Sequence, residues 1–527
     1  MKFRSGFFII IFFLLSCSEK YDNSNLKIFK YNESNGVSTL DPAFAKDKAT
    51  IWVTSQIFNS LVKMNEELEV IPSISTSWKI SEDGLVYTFF LRKDVFFHDH
   101  KFFENGKGRR VVASDFVYSF DRLLSSKLAS PGSWVFNNVS SYYSVNDSTL
   151  RIHLNQVFPP FLSLLSMQYC SVVPKECADL NEFRSHPIGT GPFQFQYWKE
   201  GVKLVLRKNK QYFEKENGIN LPYLDAVSIT FIKDKQSEFL NFLQGNLDFI
   251  SGLDPSYTDE VLDKEGLLSQ KYNDKFNFKS LPFLNTEYLG FLMDGNSDLS
   301  ENLYLRKAIH YAIDRQKMLK YLRNNVGVAA NHGFIPIGLP SYSKENINSA
   351  YNLEQSLRYL ELAGFPNGRG LSPIVLNTTS SYLDLCEFVQ SELKKIGIDL
   401  KIEVNPPSTH RQKMATSKLN FFRGSWMADY PDAENYLSLF YSKNFCPNGP
   451  NYTHFYNEEY DRLYEFSISE TDVKKRIQIY QRLNKILSEE MPVIPLYYDQ
   501  IIRFSHNNIS GFTVNAQNNL DLTRVKK

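Results

Sequence analysis

The sequence predicts an α/β or mixed α+β protein with several lobes, and three observations predict this class. The chain has 527 residues, which is too long for one ordinary hydrophobic core. Its hydrophobic content of 43% and charged content of 22% are typical of a globular protein. From Leu26 onward, segments with strand periodicity alternate with segments that have helix periodicity. We therefore expect two or three domains.

The first 16 residues have the pattern of a bacterial signal peptide. Lys2 and Arg4 precede an apolar segment at 7–15, which is about half the ~20 residues that a membrane-spanning helix needs. The motif LLSC at 14–17 resembles a lipobox, which implies cleavage before Cys17 and lipidation of its thiol. Ordinary secretion with an incidental cysteine is the alternative. We expect residues 17–25 to be a tether and the protein to be lipid-anchored in the cell envelope, on its periplasmic or extracellular side.

Strands and helices are predicted from the period of the apolar residues. Residues 86–92, 203–209 and 226–232 are rich in β-branched and aromatic residues and predict strands. Residues 305–322 and 474–490 place their apolar side chains on one face and predict helices, the second ending before Pro492. Residues 391–404 predict a helix end at Gly397 followed by a strand, as in a helix-covered sheet.

Charge and motifs exclude several classes of function. A net charge of +1 argues against nucleic-acid binding. The chain contains no H-E-x-x-H, G-x-S-x-G or P-loop motif, and His98-Asp99-His100 has no third metal ligand nearby in sequence. We expect no enzymatic activity, no cofactor and no metal site.

Four cysteines remain once Cys17 is set aside. Cys170, Cys177, Cys386 and Cys446 do not have the spacing of a zinc ribbon. An exported protein meets an oxidising compartment, so one or two disulfides are expected, or else four buried free thiols.

A series of motifs resembles one family. They are TLDPAF (39–44), the segment 57–99, ASDFVYSFDRLL (113–124), IGTGPF (188–193), LRKAIHYAIDRQKML (305–319), LAGFPNG (362–368), WMADYPDAENYL (426–437) and MPVIPLYY (491–498). In order and spacing they resemble the extracellular solute-binding proteins of family 5, the oligopeptide- and dipeptide-binding lipoproteins of ABC transporters. The resemblance covers nearly the whole mature chain.

The resemblance implies a type II-like periplasmic-binding-protein fold of two lobes around a ligand cleft, with an extra inserted domain. Lobe I would comprise residues 26–62, 190–285 and 495–527, the inserted domain 63–189, and lobe II 286–494. The chain would cross between the lobes near 285 and 494, where a hinge would let them close.

The implied function is capture of a peptide and its delivery to the membrane subunits of an ABC permease. The protein is expected to act as a monomer, held at the membrane by its lipid anchor and without nucleic acid. The insert ENGKGRR after His100 and the sequence Pro431-Asp432-Ala433 depart from the family's peptide binders. A non-peptide solute, such as an oligosaccharide, an opine-like compound or a metal chelate, is therefore the alternative ligand.

Two charged residues in the segment 421–437 match ligand-binding positions of the family. Asp429 matches an aspartate that binds the ligand's α-amino group, and Arg423 matches an arginine that binds the carboxylate of certain short peptides. A carboxylate in a closed cleft is costly until an ammonium arrives, so Asp429 would select ligands with a free amine. The alternatives are that Asp429 caps the turn before Pro431 and that Arg423 pairs with Asp429 or Asp432.

Four further residues are candidate ligand contacts. Trp426 and Trp134 are predicted either to form cleft walls or to pack in the core. By resemblance, Gly36 and Val37 lie at the edge of the first strand, where backbone groups face the ligand.

Overall fold

The computed structural model describes residues 26–253, 255–345 and 350–527. The signal peptide, Cys17 and the tether lie outside the described residues. Lipidation of Cys17 therefore stays a prediction.

The described chain contains both strands and helices. The strands are β1 (Ile28–Asn32), β2 (Val62–Met64), β3 (Val70–Pro72), β4 (Ser75–Ile80), β5 (Val86–Leu91), β6 (Val139–Asn146), β7 (Thr149–Leu154), β8 (Phe193–Lys199), β9 (Lys203–Lys208), β10 (Lys215–Glu216), β11 (Ile219–Asn220), β12 (Ala226–Thr230), β13 (Phe249–Ser251), β14 (Phe276–Phe291), β15 (Val328–Ala329), β16 (Ile374–Thr378), β17 (Leu400–Val404), β18 (Phe421–Met427) and β19 (Val493–His506).

The helices alternate with these strands. They are α1 (Lys48–Ile57), α2 (Ala113–Leu124), α3 (Phe161–Leu164), α4 (Lys235–Leu243), α5 (Pro255–Val261), α6 (Asp298–Glu301), α7 (Leu303–Ala312), α8 (Arg315–Leu322), α9 (Leu353–Leu362), α10 (Leu383–Lys394), α11 (Pro407–Ala415), α12 (Glu434–Leu437), α13 (Glu458–Ser467) and α14 (Val473–Glu490). The predicted α/β class is confirmed.

One large mixed sheet organises the fold. Its strand order is β17-β16-β18-β14-β19-β13-β1-β12-β9-β8, with β15 also paired to β19. Strands β4, β5, β7 and β6 form a separate antiparallel sheet, and β2–β3 and β10–β11 form two-stranded ribbons. Parallel pairs (β1 with β12, β16 with β17 and β18) occur beside antiparallel ones, as helix-covered mixed sheets allow.

Two long antiparallel strands join the halves of the large sheet. The register of β14 and β19 runs from Phe276 opposite His506 to Gly290 opposite Val493, with a smaller irregularity between Glu287 and Tyr288 and a larger one between Pro282 and Thr286. On one side of this irregularity β13 continues the sheet along β19, and on the other side β18 continues it along β14. The irregularity lies next to the predicted crossing near residue 285.

The buried hydrophobic residues form four clusters within the described chain. The largest combines β1, β12 and α1 with the four-stranded sheet, so residues 63–189 share a continuous core with the strands around them. Two clusters lie in the half of the large sheet that contains β18. The fourth packs α4 against the outer ends of β14 and β19.

Most element predictions are confirmed. Strands β5, β9 and β12 and helix α14 lie where the periodicity placed them. Gly397, at φ +83°, lies between α10 and β17, where a left-handed residue suits glycine. The single helix predicted at 305–322 is wrong, because Asp314 interrupts it: its side chain accepts a hydrogen bond from the Lys317 amide (2.9 Å) and starts α8 as a separate helix.

The four described cysteines are buried free thiols. Of the two alternatives, the structure has the free thiols and not the disulfides. Among the described residues, none of the helices combines the length and the apolar character that crossing a bilayer requires.

Candidate ligand-binding site

A cavity of about 250 Å³ brings together residues that are far apart in sequence. Asp429, just after β18, and Trp134, in a 3₁₀ turn at Ser133–Phe136, both line it. The other walls come from the α1 region, residues 166–169 and residues 517–523. A concave space with several convergent polar groups is the usual form of a small-molecule site.

The first two turns of helix α1 form one wall of the cavity, and a cap and a buried tryptophan hold them in place. The Asp47 side chain accepts a hydrogen bond from the Thr50 amide (2.9 Å) and caps the helix. Trp52 is buried in the core and anchors the helix, with its indole N–H donating to the Asn518 carbonyl (2.7 Å). Lys48 lies one helical turn before Trp52 and lines the cavity.

Asp429 presents a carboxylate to the cavity. In the described part of the chain no cation lies within ion-pair distance of it, so neither Arg423 nor Asp432's partner Arg476 neutralises it. The side chain is exposed to water in the cleft, but the surrounding walls displace bulk solvent. This desolvation raises the pKa of Asp429, and a hydrogen bond with the Asn435 side chain lowers it in part. The arrangement provides an anion that has no cationic partner among the described residues.

Asn435 fixes the loop that carries Asp429. Its Oδ1 accepts hydrogen bonds from the Asp429 backbone amide (3.2 Å) and from the Trp426 indole N–H (2.9 Å). Asn435 is buried at the start of α12, and Trp426 is half-buried against the neighbouring core. The structure therefore places Trp426 in a positioning role; its ligand contact stays a prediction.

Two buried residues, Tyr430 and Glu434, pack against the loop that carries Asp429. The Trp134 and Tyr430 rings lie 6.4 Å apart, so Tyr430 connects the Trp134 wall to the Asp429 loop. The Tyr430 hydroxyl donates to the carboxylate of Glu434, which also accepts from Tyr464. Burial raises the pKa of Glu434 to about 7.

Arg423 is paired with Glu287 on the adjacent strand rather than with Asp429 or Asp432. Its guanidinium also lies over the Tyr382 ring, with Cζ 3.1 Å from the ring centroid. Asp432 has a different neighbour, Arg476, at 3.8 Å. Both predicted alternatives for Arg423 pairing are thus wrong, and its role as a ligand contact stays a prediction.

Gly36 and Val37 line an open depression that adjoins the α1 wall. Lys48 lines both this depression and the main cavity. Gly36 adopts φ +72°, which suits glycine, and its amide donates to the Glu33 carbonyl (3.1 Å). The contribution of these two residues to ligand binding stays a prediction.

Comparison with known proteins gives consistent matches along the chain. The model of the bacterial extracellular solute-binding proteins, family 5 (middle), matches residues 69–445. The heme-binding protein A of Haemophilus influenzae is 27% identical over 500 residues, covering 90% of this chain and 87% of that protein. The oligopeptide-binding protein OppA of Bacillus subtilis is 26% identical over 530 residues, covering 93% and 91%.

One solved structure extends the comparison to the fold. It is the ABC transporter-associated periplasmic binding protein DppA from Helicobacter pylori in complex with peptide STSA, with 26% identity and a TM-score of 0.77. The match covers 95% of this chain and 98% of that one. The expected type II periplasmic-binding-protein fold is confirmed.

Proposed function

Because this chain belongs to the bacterial extracellular solute-binding proteins of family 5, we propose that it captures peptides and delivers them to the membrane permease of an ABC importer. The resemblance predicted from the sequence is confirmed by the family match. Members of this family are periplasmic or extracellular transport binding proteins rather than enzymes.

The unpaired carboxylate of Asp429 is the observation that supports a peptide ligand. Every unmodified peptide carries an ammonium group at its N-terminus, and such a group would supply the missing cation. Closure of the cleft around an unpaired carboxylate is costly, so a ligand without an ammonium would leave a desolvated, unpaired charge. Asp429 would thereby reject uncharged solutes more strongly than it favours any one peptide.

Two relatives favour the same ligand class. Oligopeptide-binding protein OppA is named for its ligand, and the H. pylori structure holds the peptide STSA. Both match this chain over more than nine-tenths of its length.

Capture would proceed by closure of two lobes about the β14–β19 strand pair. We place lobe I at residues 26–62, 190–285 and 495–527, the inserted domain at 63–189 and lobe II at 286–494. Asp429 then belongs to lobe II, whereas α1 belongs to lobe I, so closure would bring these opposite walls onto the ligand.

Membrane attachment would occur through the lipidated Cys17 after removal of residues 1–16. The lipid would keep the monomeric binding protein near its permease, and residues 17–25 would act as the tether. Cell fractionation tests this part of the proposal. The wild type should be found with the membranes, and a Cys17→Ala variant should not.

Peptide binding can be tested with one peptide in two forms. Trialanine with a free amine should raise the melting temperature of the wild-type protein, whereas N-acetylated trialanine should not. Asp429→Asn should greatly reduce the shift, and Asp274→Asn, at an exposed aspartate outside the cavity, should retain it. If no peptide of two to five residues stabilises the folded protein, the peptide function is refuted.

A non-peptide solute is the second candidate. A heme-binding protein is among the relatives, at 27% identity over 90% of this chain. Native mass spectrometry of the protein purified from its own cells would distinguish the two candidates. A copurified tetrapyrrole, glycan or metal chelate instead of peptides would establish the second one.

A further inference from the structure

Lys48 occupies a distinctive position in the cleft. It lies at the first turn of α1 and lines both the main cavity and the depression beside Gly36. Its ammonium stands over the buried Trp52 ring, with Nζ 4.7 Å from the ring centroid. The side chain is half-buried, so bulk water solvates its charge only in part.

No carboxylate in the described chain lies within ion-pair distance of Lys48. The acid with the largest electrostatic effect on it is Glu33, which is 5% exposed and forms no ion pair of its own among described residues. The nearby Lys235 and Glu238 neutralise each other at 2.6 Å. Desolvation by burial lowers the pKa of Lys48, which marks a cation with incomplete compensation.

A second cation flanks the same indole. Cζ of Arg503 lies 5.4 Å from the Trp52 ring centroid, and Arg503 is 2% exposed. Among the described residues its guanidinium donates only to neutral oxygens, including Asn518 Oδ1 (2.7 Å) and the Asn519 carbonyl (2.8 Å). The wall around Trp52 therefore carries two positive charges without a carboxylate partner among the described residues.

We propose that Lys48, on the Trp52 wall, binds a carboxylate of the ligand and thereby selects dipolar ligands together with Asp429. This inference rests on the proposed peptide function. Arg423 is already neutralised by Glu287, and Lys63 in the cavity wall is paired with Glu214. Of the two cavity lysines without an ion pair among the described residues, Lys46 is exposed and Lys48 is half-buried, so Lys48 is the cation that a ligand carboxylate would compensate. Lys48 and Asp429 line the same cavity, and among the described residues neither the lysine nor the aspartate has an ion-pair partner.

The carboxylate has two sources in a peptide: the C-terminus and an acidic side chain. Four free-amine probes separate them: trialanine, trialanine amide, and two amides of the tripeptide with aspartate at the second or the third position. Calorimetric titration of the wild type should show that amidation weakens trialanine binding roughly 10- to 100-fold, the range for a lost charged hydrogen bond. If one of the aspartate amides recovers the affinity that amidation removes, Lys48 accepts a side-chain carboxylate. If neither aspartate amide recovers it, Lys48 binds the C-terminal carboxylate.

Substitutions assign the effect to the lysine. Lys48→Met, which keeps the aliphatic contact with Trp52, should bind trialanine and its amide with equal affinity. Lys48→Arg should restore the discrimination, and Lys79→Met, at an exposed lysine on β4, should leave it unchanged.

The outcomes separate this inference from the proposed function. If the wild type binds trialanine and all three amides equally well, the carboxylate inference is overturned while the peptide function stands. The same holds if Lys48→Met retains full discrimination. If no probe binds to the folded wild type and no peptide of two to five residues stabilises it, both are overturned. The wild-type comparison needs no variant, so it decides the matter even if Lys48→Met does not fold.

Discussion

Arg423 and Glu287 form a buried ion pair between neighbouring strands of the large sheet. Arg423 lies on β18 and Glu287 on β14, and the two side chains belong to residues that are 7% and 2% exposed. Asn285 donates a further hydrogen bond to Glu287 at 3.1 Å. The pair lies close to the irregularity where β14 and β19 change register, so it supports the sheet at the proposed hinge.

Removal of one member of this pair should strongly destabilise the protein. Arg423→Met leaves the Glu287 carboxylate buried without a cation, and such a loss typically costs about 3–5 kcal/mol. Urea denaturation followed by tryptophan fluorescence measures the change in the free energy of unfolding.

The double variant Arg423→Met/Glu287→Met is the informative companion. Two apolar side chains remove both charges of the pair, so much of the stability should return. Lys443→Met, at an exposed pair with Glu465, should produce no measurable change. Equal losses in the single and double variants would contradict the charge-based explanation.

Affinity for a free-amine peptide should fall on acidification, and earlier than for an ordinary aspartate. Desolvation raises the pKa of Asp429 in the ligand-free protein, and only the ionised carboxylate attracts an ammonium. As the pH falls through this raised pKa, the carboxyl group becomes neutral and the attraction is lost. Calorimetric titration with trialanine at a series of pH values measures the effect. The residual affinity of Asp429→Asn should not vary over the same range; an equally steep decline in that variant would assign the titration to another group.

Elements with regular periodicity were predictable from the sequence, and local interruptions were not. Helix α14 keeps one apolar face over its whole length, so its pattern alone defines it. In residues 305–322 the apolar period continues across the break, while one side-chain hydrogen bond of Asp314 separates α7 from α8. A capping aspartate is visible in the sequence, but its effect depends on tertiary packing around the turn.

The site was predictable only in part, because its contacts join distant parts of the chain. Asp429 was found through a motif, whereas the partner of Arg423 lies 136 positions away. Asn435 and Lys48 were missed: asparagine is common in turns, and a single lysine at a helix start resembles a solvated one. Asn435 lies within WMADYPDAENYL, but the sequence gives no sign that its side chain holds Trp426 and the Asp429 amide.

The four described cysteines should behave as protected thiols. Burial raises the pKa of Cys177 to about 12 and that of Cys386 to about 11, so little thiolate is present at neutral pH. Ellman's reagent should react slowly with the native protein and release four equivalents in denaturant from a chain that lacks Cys17. Reductant should not change the melting temperature. Fewer than four equivalents without reductant would indicate a disulfide.

The carboxyl group of Glu434 should make stability depend on pH near neutrality. Glu434 is 4% exposed, and burial raises its pKa from the usual value to about 7 in the folded state. The folded protein therefore holds this proton over a range in which the unfolded chain has already released it. Stability from this group is present at low pH and is lost as the pH rises from about 4.5 to about 7, by on the order of 3 kcal/mol.

Glu434→Gln isolates this effect, because an amide keeps the shape of the protonated acid but cannot ionise. At about pH 5 the variant and the wild type should have similar free energies of unfolding. At about pH 8 the variant should be the more stable of the two, since only the wild type then carries a buried negative charge among Tyr430, Tyr464 and Asp432. Glu361→Gln, on the exposed side of α9, should show no such difference between the two pH values. A constant difference between Glu434→Gln and the wild type at both pH values would mean that Glu434 stays ionised throughout, held by the hydroxyl groups of Tyr430 and Tyr464.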